Sequence, residues 1–353
     1  MFRRAALAIV LLTLAACGGG DGRAPFVESR IPPGLGPRFW PPEGWAWGLF
    51  KVGDAPAQRY GVSSTIGTPK GSVLILTDFG ETTEVWFETA RDLNAAGYTV
   101  WVLERAGQGG SERHALPRDL VHVPSFDGDV TTTRALARTI MQGSPDAPLT
   151  IVGQGVGGLV GLSAIQTGAP AYGLVLSNPK LAPRGVQPGW PAWLMNLGAG
   201  RLPAAVGQGW KREGADGVQL GLTADPWRGK VQKAWQVANP DLRMGGPSVG
   251  WNAAFAREAK AAAARTAPAD FRVLLIASPD SPDFTTAEEA CKPLKCLHAV
   301  LTTAPGGKRD LAKSSFPLEA DPTRLWWLHN LACALPGGVK GTPWSPDAPC
   351  PDA

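Results

Sequence analysis

Two stretches of this chain have the form of a site for acyl transfer. The first is Thr150-Ile151-Val152-Gly153-Gln154-Gly155-Val156-Gly157-Gly158, where strand-forming residues run into a glycine-rich turn and out into an apolar helix. A sharp corner of this kind lifts one side chain above a sheet, and glycines flank it because Cβ atoms there would collide. The chemistry such a corner serves needs a hydroxyl nucleophile, an imidazole to take its proton, a carboxylate to orient the imidazole and N–H donors for the oxyanion. The second stretch, Gly246-Pro247-Ser248-Val249-Gly250, is a literal Gly-x-Ser-x-Gly. Asp280 and His298 follow it in the chain order Ser, Asp, His. Yet Asn239-Pro240-Asp241-Leu242-Arg243-Met244 before it is no buried strand, so Ser248 lacks the element that would raise it. His298 is expected just before the last strand, at the wrong edge of a sheet, and His329 inside the C-terminal helix; His114 reads as a loop residue.

The elements around these stretches alternate. Apolar runs at 72–77, 98–103, 149–152, 174–176, 272–277 and 299–302 read as strands buried on both faces. Helical spacing appears over 86–96, 127–141, from 159 onward, over 252–265 and over 325–335. Such alternation predicts an α/β fold, a mostly parallel sheet with helices on both faces. Between 178 and 266 it stops, and a stretch rich in Trp, Gly and Pro reads as a lid over the sheet rather than an independent domain. The expected organisation is a leader at 1–16, a tether and Trp-rich lead-in at 17–50, a core in two parts at 51–177 and 267–335, the lid at 178–266, and a Pro-rich tail at 336–353. Of the 353 residues, 44% are hydrophobic, enough to fill a real core. Lys and Arg number 34 against 30 Asp and Glu, with Arg3 and Arg4 in the leader, so no electrostatic footprint for nucleic acid remains. Phe39, Trp40, Trp45, Trp47 and Phe50 in the lead-in either cap the core or sit at a membrane interface, a depth that Trp favours.

The leader carries an address. Arg3 and Arg4 precede an apolar run over 5–16, shorter than the ~20 residues a membrane-spanning helix needs. It ends in Leu14-Ala15-Ala16-Cys17 followed by Gly18, Gly19 and Gly20. This resembles a bacterial lipobox, which implies that Cys17 becomes the lipidated first residue of the mature chain; the alternative is an ordinary secretory signal. In lipoproteins of two-membrane bacteria, glycine rather than aspartate after the cysteine implies release to the outer membrane, here its periplasmic face. With Cys17 set aside, Cys291, Cys296, Cys333 and Cys350 are an even number in an exported chain and allow three pairings. Cys291 with Cys296 and Cys333 with Cys350 closes the shortest loops and is favoured. A metal site has no His at ligand spacing and an oxidising compartment against it, and neither metal nor other cofactor is expected.

Five dispersed stretches, in order, carry a resemblance: the 150–158 corner, Gly107-Gln108-Gly109-Gly110-Ser111-Glu112-Arg113, His122-Val123-Pro124-Ser125-Phe126-Asp127, Leu222-Thr223-Ala224-Asp225-Pro226 and Gly245-Gly246-Pro247-Ser248-Val249-Gly250-Trp251. Together they resemble the α/β-hydrolase family of bacterial lysophospholipases, close to monoacylglycerol lipases and to the serine-aminopeptidase grouping, over residues 60–335. The resemblance implies a lidded α/β-hydrolase fold cleaving acyl esters, and it places a structural histidine at His122 and the 245–251 stretch in the lid. It also implies a catalytic set that this chain departs from. The nucleophile position falls on Gly155. The base position falls on Arg309, in Pro305-Gly306-Gly307-Lys308-Arg309-Asp310, and a guanidinium cannot accept a proton near neutral pH. The acid position is kept as Asp280. The oxyanion turn reads Thr77-Asp78-Phe79-Gly80-Glu81, with Phe79 and Val156 as N–H donors and a carboxylate, Asp78, where one would oppose a developing oxyanion. Asp280 and Arg309 could pair, with Asp78 joining them.

The expectation is therefore a lysophospholipase-like lipoprotein that has lost serine-hydrolase activity and binds a lipid, an acyl ligand or a partner protein beneath its lid. The rival expectation is a working esterase or lysophospholipase with an unidentified nucleophile.

Overall fold

The computed structural model describes residues 24–183, 193, 195, 198–268, 271–279, 281, 283–300, 315–338 and 350. Eight strands form one sheet: β1 (Ala46–Phe50), β2 (Gln58–Ser63), β3 (Gly71–Leu76), β4 (Tyr98–Leu103), β5 (Leu149–Gln154), β6 (Gly173–Ser177), β7 (Arg272–Ala277) and β8 (Leu297–Val300). Their spatial order is β1-β2-β4-β3-β5-β6-β7-β8. β2 runs antiparallel to β1 and β4, and every other neighbour pair is parallel. Among the described residues the α-helices include α1 (Phe87–Ala95), α2 (Asp127–Leu136), α3 (Val156–Gln166), α4 (Gly229–Ala238), α5 (Val249–Ala264), α6 (Phe284–Leu294) and α7 (Asp321–Ala334). This is the α/β-hydrolase fold.

Alternation along the strands sends successive side chains to opposite faces. Leu74, Leu76 and Ile151 pack with Leu159 of α3, Val130 of α2 and Phe255 of α5. Val73, Ile75 and Val152 pack with Phe87 of α1, Trp327 of α7 and Trp235 of α4. Both faces of the central strands are thus buried, which is why they read as continuous apolar runs. The lid between β6 and β7 includes α4 and α5, and each anchors itself in one of these two cores. Among the described residues, no helix is long and apolar enough to cross a membrane.

Several details differ from the sequence expectation. β1 and β2 arise from the lead-in and the stretch after it, whose alternation is masked by glycines and tryptophans. The last strand begins at Leu297, so His298 lies within β8 rather than before it, on its exposed side. The helix over 127–141 ends as a single π turn at Ala137–Met141. Cys291 joins Cys296, at the end of α6, and Cys333 of α7 joins Cys350, with Cα separations of 5.1 and 5.5 Å; the pairing with the shortest loops is the one present. The lead-in aromatics turn inward. Phe39 is buried, and the rings of Trp45 and Trp47 meet Phe87 edge-on at 5.0 and 6.0 Å. They cap the core, leaving Trp40 exposed.

Residues 26–40 form a strap across the molecule. Phe26 N–H donates to the Gly110 carbonyl (2.9 Å), and Arg59 Nη1 to that of Val27 (3.2 Å). Arg30 N–H donates to Asn239 Oδ1 (2.8 Å) while Asn239 Nδ2 donates to the Arg30 carbonyl (2.9 Å), fixing the strap to the C-terminal end of α4. At the other end of α4, Phe39 packs on Trp227 (5.1 Å), and Arg38 and Arg228 share Glu88 and Asp321.

Candidate active site

β5 delivers the chain to Gly155, whose φ of +53° and ψ of −118° define a strained corner before α3 begins at Val156. Such a backbone disfavours any residue with a Cβ. A Cβ on Gly157 would strike the Leu76 carbonyl, so the corner also needs glycine for its close approach to β3. Backbone bonds hold it on both sides: Gly155 N–H donates to the Ser177 carbonyl and Lys180 N–H to the Gly155 carbonyl, both at 2.9 Å.

The space that a side chain on Gly155 would take is filled. A Cβ built there falls inside the van der Waals envelope of the Asp78 carboxylate, against its carbon and both oxygens. Asp78 Oδ1 accepts from the backbone N–H of Phe79 and of Val156, both at 2.7 Å, the two donors expected to hold an oxyanion. Its Oδ2 accepts from Lys180 Nζ at 2.8 Å. Gln108, in the glycine-rich loop after β4, donates from Nε2 to the Asp78 carbonyl at 2.8 Å and steadies the turn. The carboxylate of one residue thus occupies both the volume above Gly155, where the resemblance places a nucleophile, and the two N–H groups expected to serve an oxyanion. Charge-assisted bonds of this kind are short and roughly twice as strong as neutral ones.

Glu81, at the far end of the same turn, accepts from Asp78 N–H (3.0 Å) and from Ser315 Oγ (2.5 Å). Burial, and then the charge of Asp78, push its carboxyl up to about 7. For Lys180, burial works against the charge, but Asp78 and then Glu81 outweigh it and hold the ammonium above its ordinary value.

Phe79, Gly80, Asp78 and Lys180 form one end of a cavity of about 470 Å³ beneath the lid. Trp210, Leu220, Leu222 and Met244 give it an apolar lining, and Gln232 and Gln236 of α4 face it. Gln232 Nε2 donates to the Gly80 carbonyl at 2.9 Å, tying α4 to the turn that bears Asp78. The volume lies in the range of small-molecule sites. Among the described residues that line it, none is a histidine, serine or cysteine.

The structure brings Gly155, Phe79 and Val156 together, and Asp78 among them. Asp280, Arg309 and Cys17 lie outside the described residues. The partner of Asp78 is Lys180, which the sequence reading missed: it sits at the end of Asn178-Pro179-Lys180, just past β6, and a charged residue at the carboxyl end of a core strand is the available signal.

Ser248 does meet an imidazole: its Oγ lies 2.8 Å from His122 Nδ1. The same oxygen accepts from Trp251 N–H at 3.0 Å, so Ser248 is the N-cap of α5. It is wholly buried and does not line the cavity. Burial, chiefly, pulls the His122 imidazole down to about 4. The pair fastens the lid helix to the 121–124 segment. Replacing Ser248 with Ala should cost about 1–2 kcal/mol of stability, the usual price of a lost N-cap, as read by urea unfolding.

The raised carboxyls make a second expectation. Glu81 at about 7 and Asp129 at about 6 hold protons that the unfolded chain has already released, so their contribution is complete at low pH and lost as pH rises. His122 acts oppositely between about 4 and its ordinary 6.5, losing stability as pH falls. Above pH 6.5 the release from Glu81 outweighs what remains of the Asp129 and His122 titrations. The melting temperature should therefore fall between pH 6.5 and 7.5, and Glu81→Gln should flatten that decline.

The chain belongs to the serine aminopeptidase S33 family, whose model matches residues 67–283, more than half of the sequence. No curated protein matches it in sequence. Solved structures of similar fold include a lipase in its open form (17% identity over 81% of this chain and 98% of that one, TM-score 0.57). A soluble variant of the monoglyceride lipase of Saccharomyces cerevisiae with a substrate analogue is similar at 17% identity, over 79% of this chain and 92% of its own, with a TM-score of 0.51. A carboxyl esterase from Bacillus coagulans matches at 15% identity, 76% and 92%, with a TM-score of 0.51. At these identities the likeness is one of fold.

Proposed function

We propose that this chain is a member of its family that binds an acyl lipid beneath the lid without hydrolysing it, held by a lipid on Cys17 at the periplasmic face of the outer membrane. The observation that carries this reading is the Asp78 carboxylate seated in the nucleophile's volume and on both N–H donors. A negative charge fixed there repels the oxyanion that ester cleavage must generate and denies it its donors. The base position holds Arg309 in the sequence, which cannot take a proton from a hydroxyl. The apolar lining and volume of the cavity suit a single acyl chain, with Lys180 and the glutamines of α4 at hand for a polar head.

The rival reading, an active esterase, draws on the Ser248–His122 contact. Against it stand the burial of Ser248, its use as a helix cap, and the absence of either residue from the cavity lining.

Binding is tested by extracting the purified protein with organic solvent and analysing the extract by mass spectrometry. A stoichiometric acyl lipid, lost when Leu222→Trp fills the cavity, is the expected result; lipid-free protein that also takes up no lysophospholipid on incubation would refute it.

A further inference from the structure

We infer that the chain meets its membrane through the lid rim around Leu116, Leu202, Val206 and Leu220, at the end of the sheet that bears Gly155. This rests on the reading of Cys17 as a lipid anchor and adds which face the anchor presents.

The tether becomes fixed at Phe26, where the strap bonds to Gly110 and the Arg59 guanidinium lies 5.6 Å from the Phe26 ring centroid. Gly110 is in the loop after β4, and β4 is parallel to β3 and β3 to β5, so this loop and Gly155 share one end of the sheet. Nine Cα-to-Cα steps lead from Cys17 to Phe26, a reach of about 30 Å when fully extended. A lipid on Cys17 therefore holds the Gly155 end of the molecule close to the bilayer.

That end carries an apolar rim. Arg113 donates from Nη2 to the Gly109 carbonyl (2.6 Å) and from Nη1 to the Arg118 carbonyl (2.8 Å), linking the strap's docking loop to the segment with Leu116. Pro117, Leu120 and residues 203–209 enclose a hollow of about 400 Å³, which shares Gly207, Gln208 and Gly209 with the cavity beside Asp78. Val206 and Leu220 line these two joined hollows, Leu116 and Leu202 directly precede the lining residues Pro117 and Pro203, and the four in chain order are 64%, 46%, 103% and 44% exposed. Apolar groups clustered at the mouth of an acyl-sized cavity gain by entering the boundary between head groups and acyl chains. Of the aromatic lead-in, the other candidate, Phe39, Trp45 and Trp47 pack on the core and Trp40 alone is exposed.

The test uses the full lipidated protein in vesicles of phosphatidylethanolamine and phosphatidylglycerol. Val206→Cys and Ile66→Cys variants are each labelled with a nitrobenzoxadiazole fluorophore. Both sites are fully exposed, and Ile66 lies in the turn before β3, at the opposite end of the sheet. Doxyl-labelled lipid should quench the Val206 label about twofold and leave the Ile66 label unchanged, as expected for a face lying in the interface. Flotation with the vesicles but equal quenching of both labels, or quenching of neither, would overturn the docking face alone. Failure to float would overturn the anchor, and the face with it.

Discussion

Gly155→Ser should lower stability by about 4 kcal/mol and yield no ester turnover. The new side chain needs the volume that the Asp78 carboxylate fills, so the carboxylate must leave its two backbone donors and Lys180. Because water takes over part of what the displaced carboxylate loses, the net cost is about that of one bond to a charged group, ~1.5–3 kcal/mol, and the left-handed backbone adds ~1–3 kcal/mol of strain for any residue with a Cβ. In an Asp78→Gly background the same substitution should cost about 2 kcal/mol less, a coupling of the size found between residues in contact. Equilibrium unfolding of the four proteins closes this cycle. Additive costs would show that Asp78 and position 155 do not compete for space.

Arg59→Met should cost about 3–5 kcal/mol, the range for breaking a buried ion pair from one side. Arg59, Glu84 and Glu104 are fully buried. Arg59 donates to Glu104 Oε1 (2.5 Å) and Oε2 (3.0 Å) and to Glu84 Oε1 (2.8 Å). Burial works against its charge, but the two carboxylates more than compensate and raise its pKa. Removing it leaves two buried carboxylates without their hydrogen-bonded cation and frees the strap, since Arg59 also bonds the Val27 carbonyl and lies 4.3 Å from the Trp47 ring centroid. Urea unfolding measures the loss, and limited proteolysis should cut the variant first within residues 24–40. A loss below about 1 kcal/mol would place the cluster among ion pairs of surface strength.

Much of this architecture is legible in the residues because burial on two faces leaves an unbroken apolar signature, as in 72–77 and 149–152. The corner at Gly155 is equally plain, since close approach and a left-handed backbone both demand glycine. β1 and β2 are not: Gly48 and Gly61 interrupt their pattern, and their pairing depends on β4, some 40 residues further along. Asp78 is recognisable as a misplaced charge from its place in the turn after β3. Its counter-ion is harder to find because Lys180 is 102 residues away and becomes a neighbour only through the parallel order of β3, β5 and β6. The glycine–serine–glycine stretch at 246–250 shows the opposite hazard. Its serine follows an extended segment and precedes a helix, which is the signature of a cap.

Whether any hydroxyl in this chain is activated for attack on an ester decides the proposed loss of hydrolysis. Intact-mass analysis after incubation with a fluorophosphonate probe tests it most directly, because the probe bonds covalently to any serine whose proton is being drawn off. The mass should remain that of the unmodified protein. One adduct per chain, mapped to a serine and abolished by its replacement with Ala, would contradict the account.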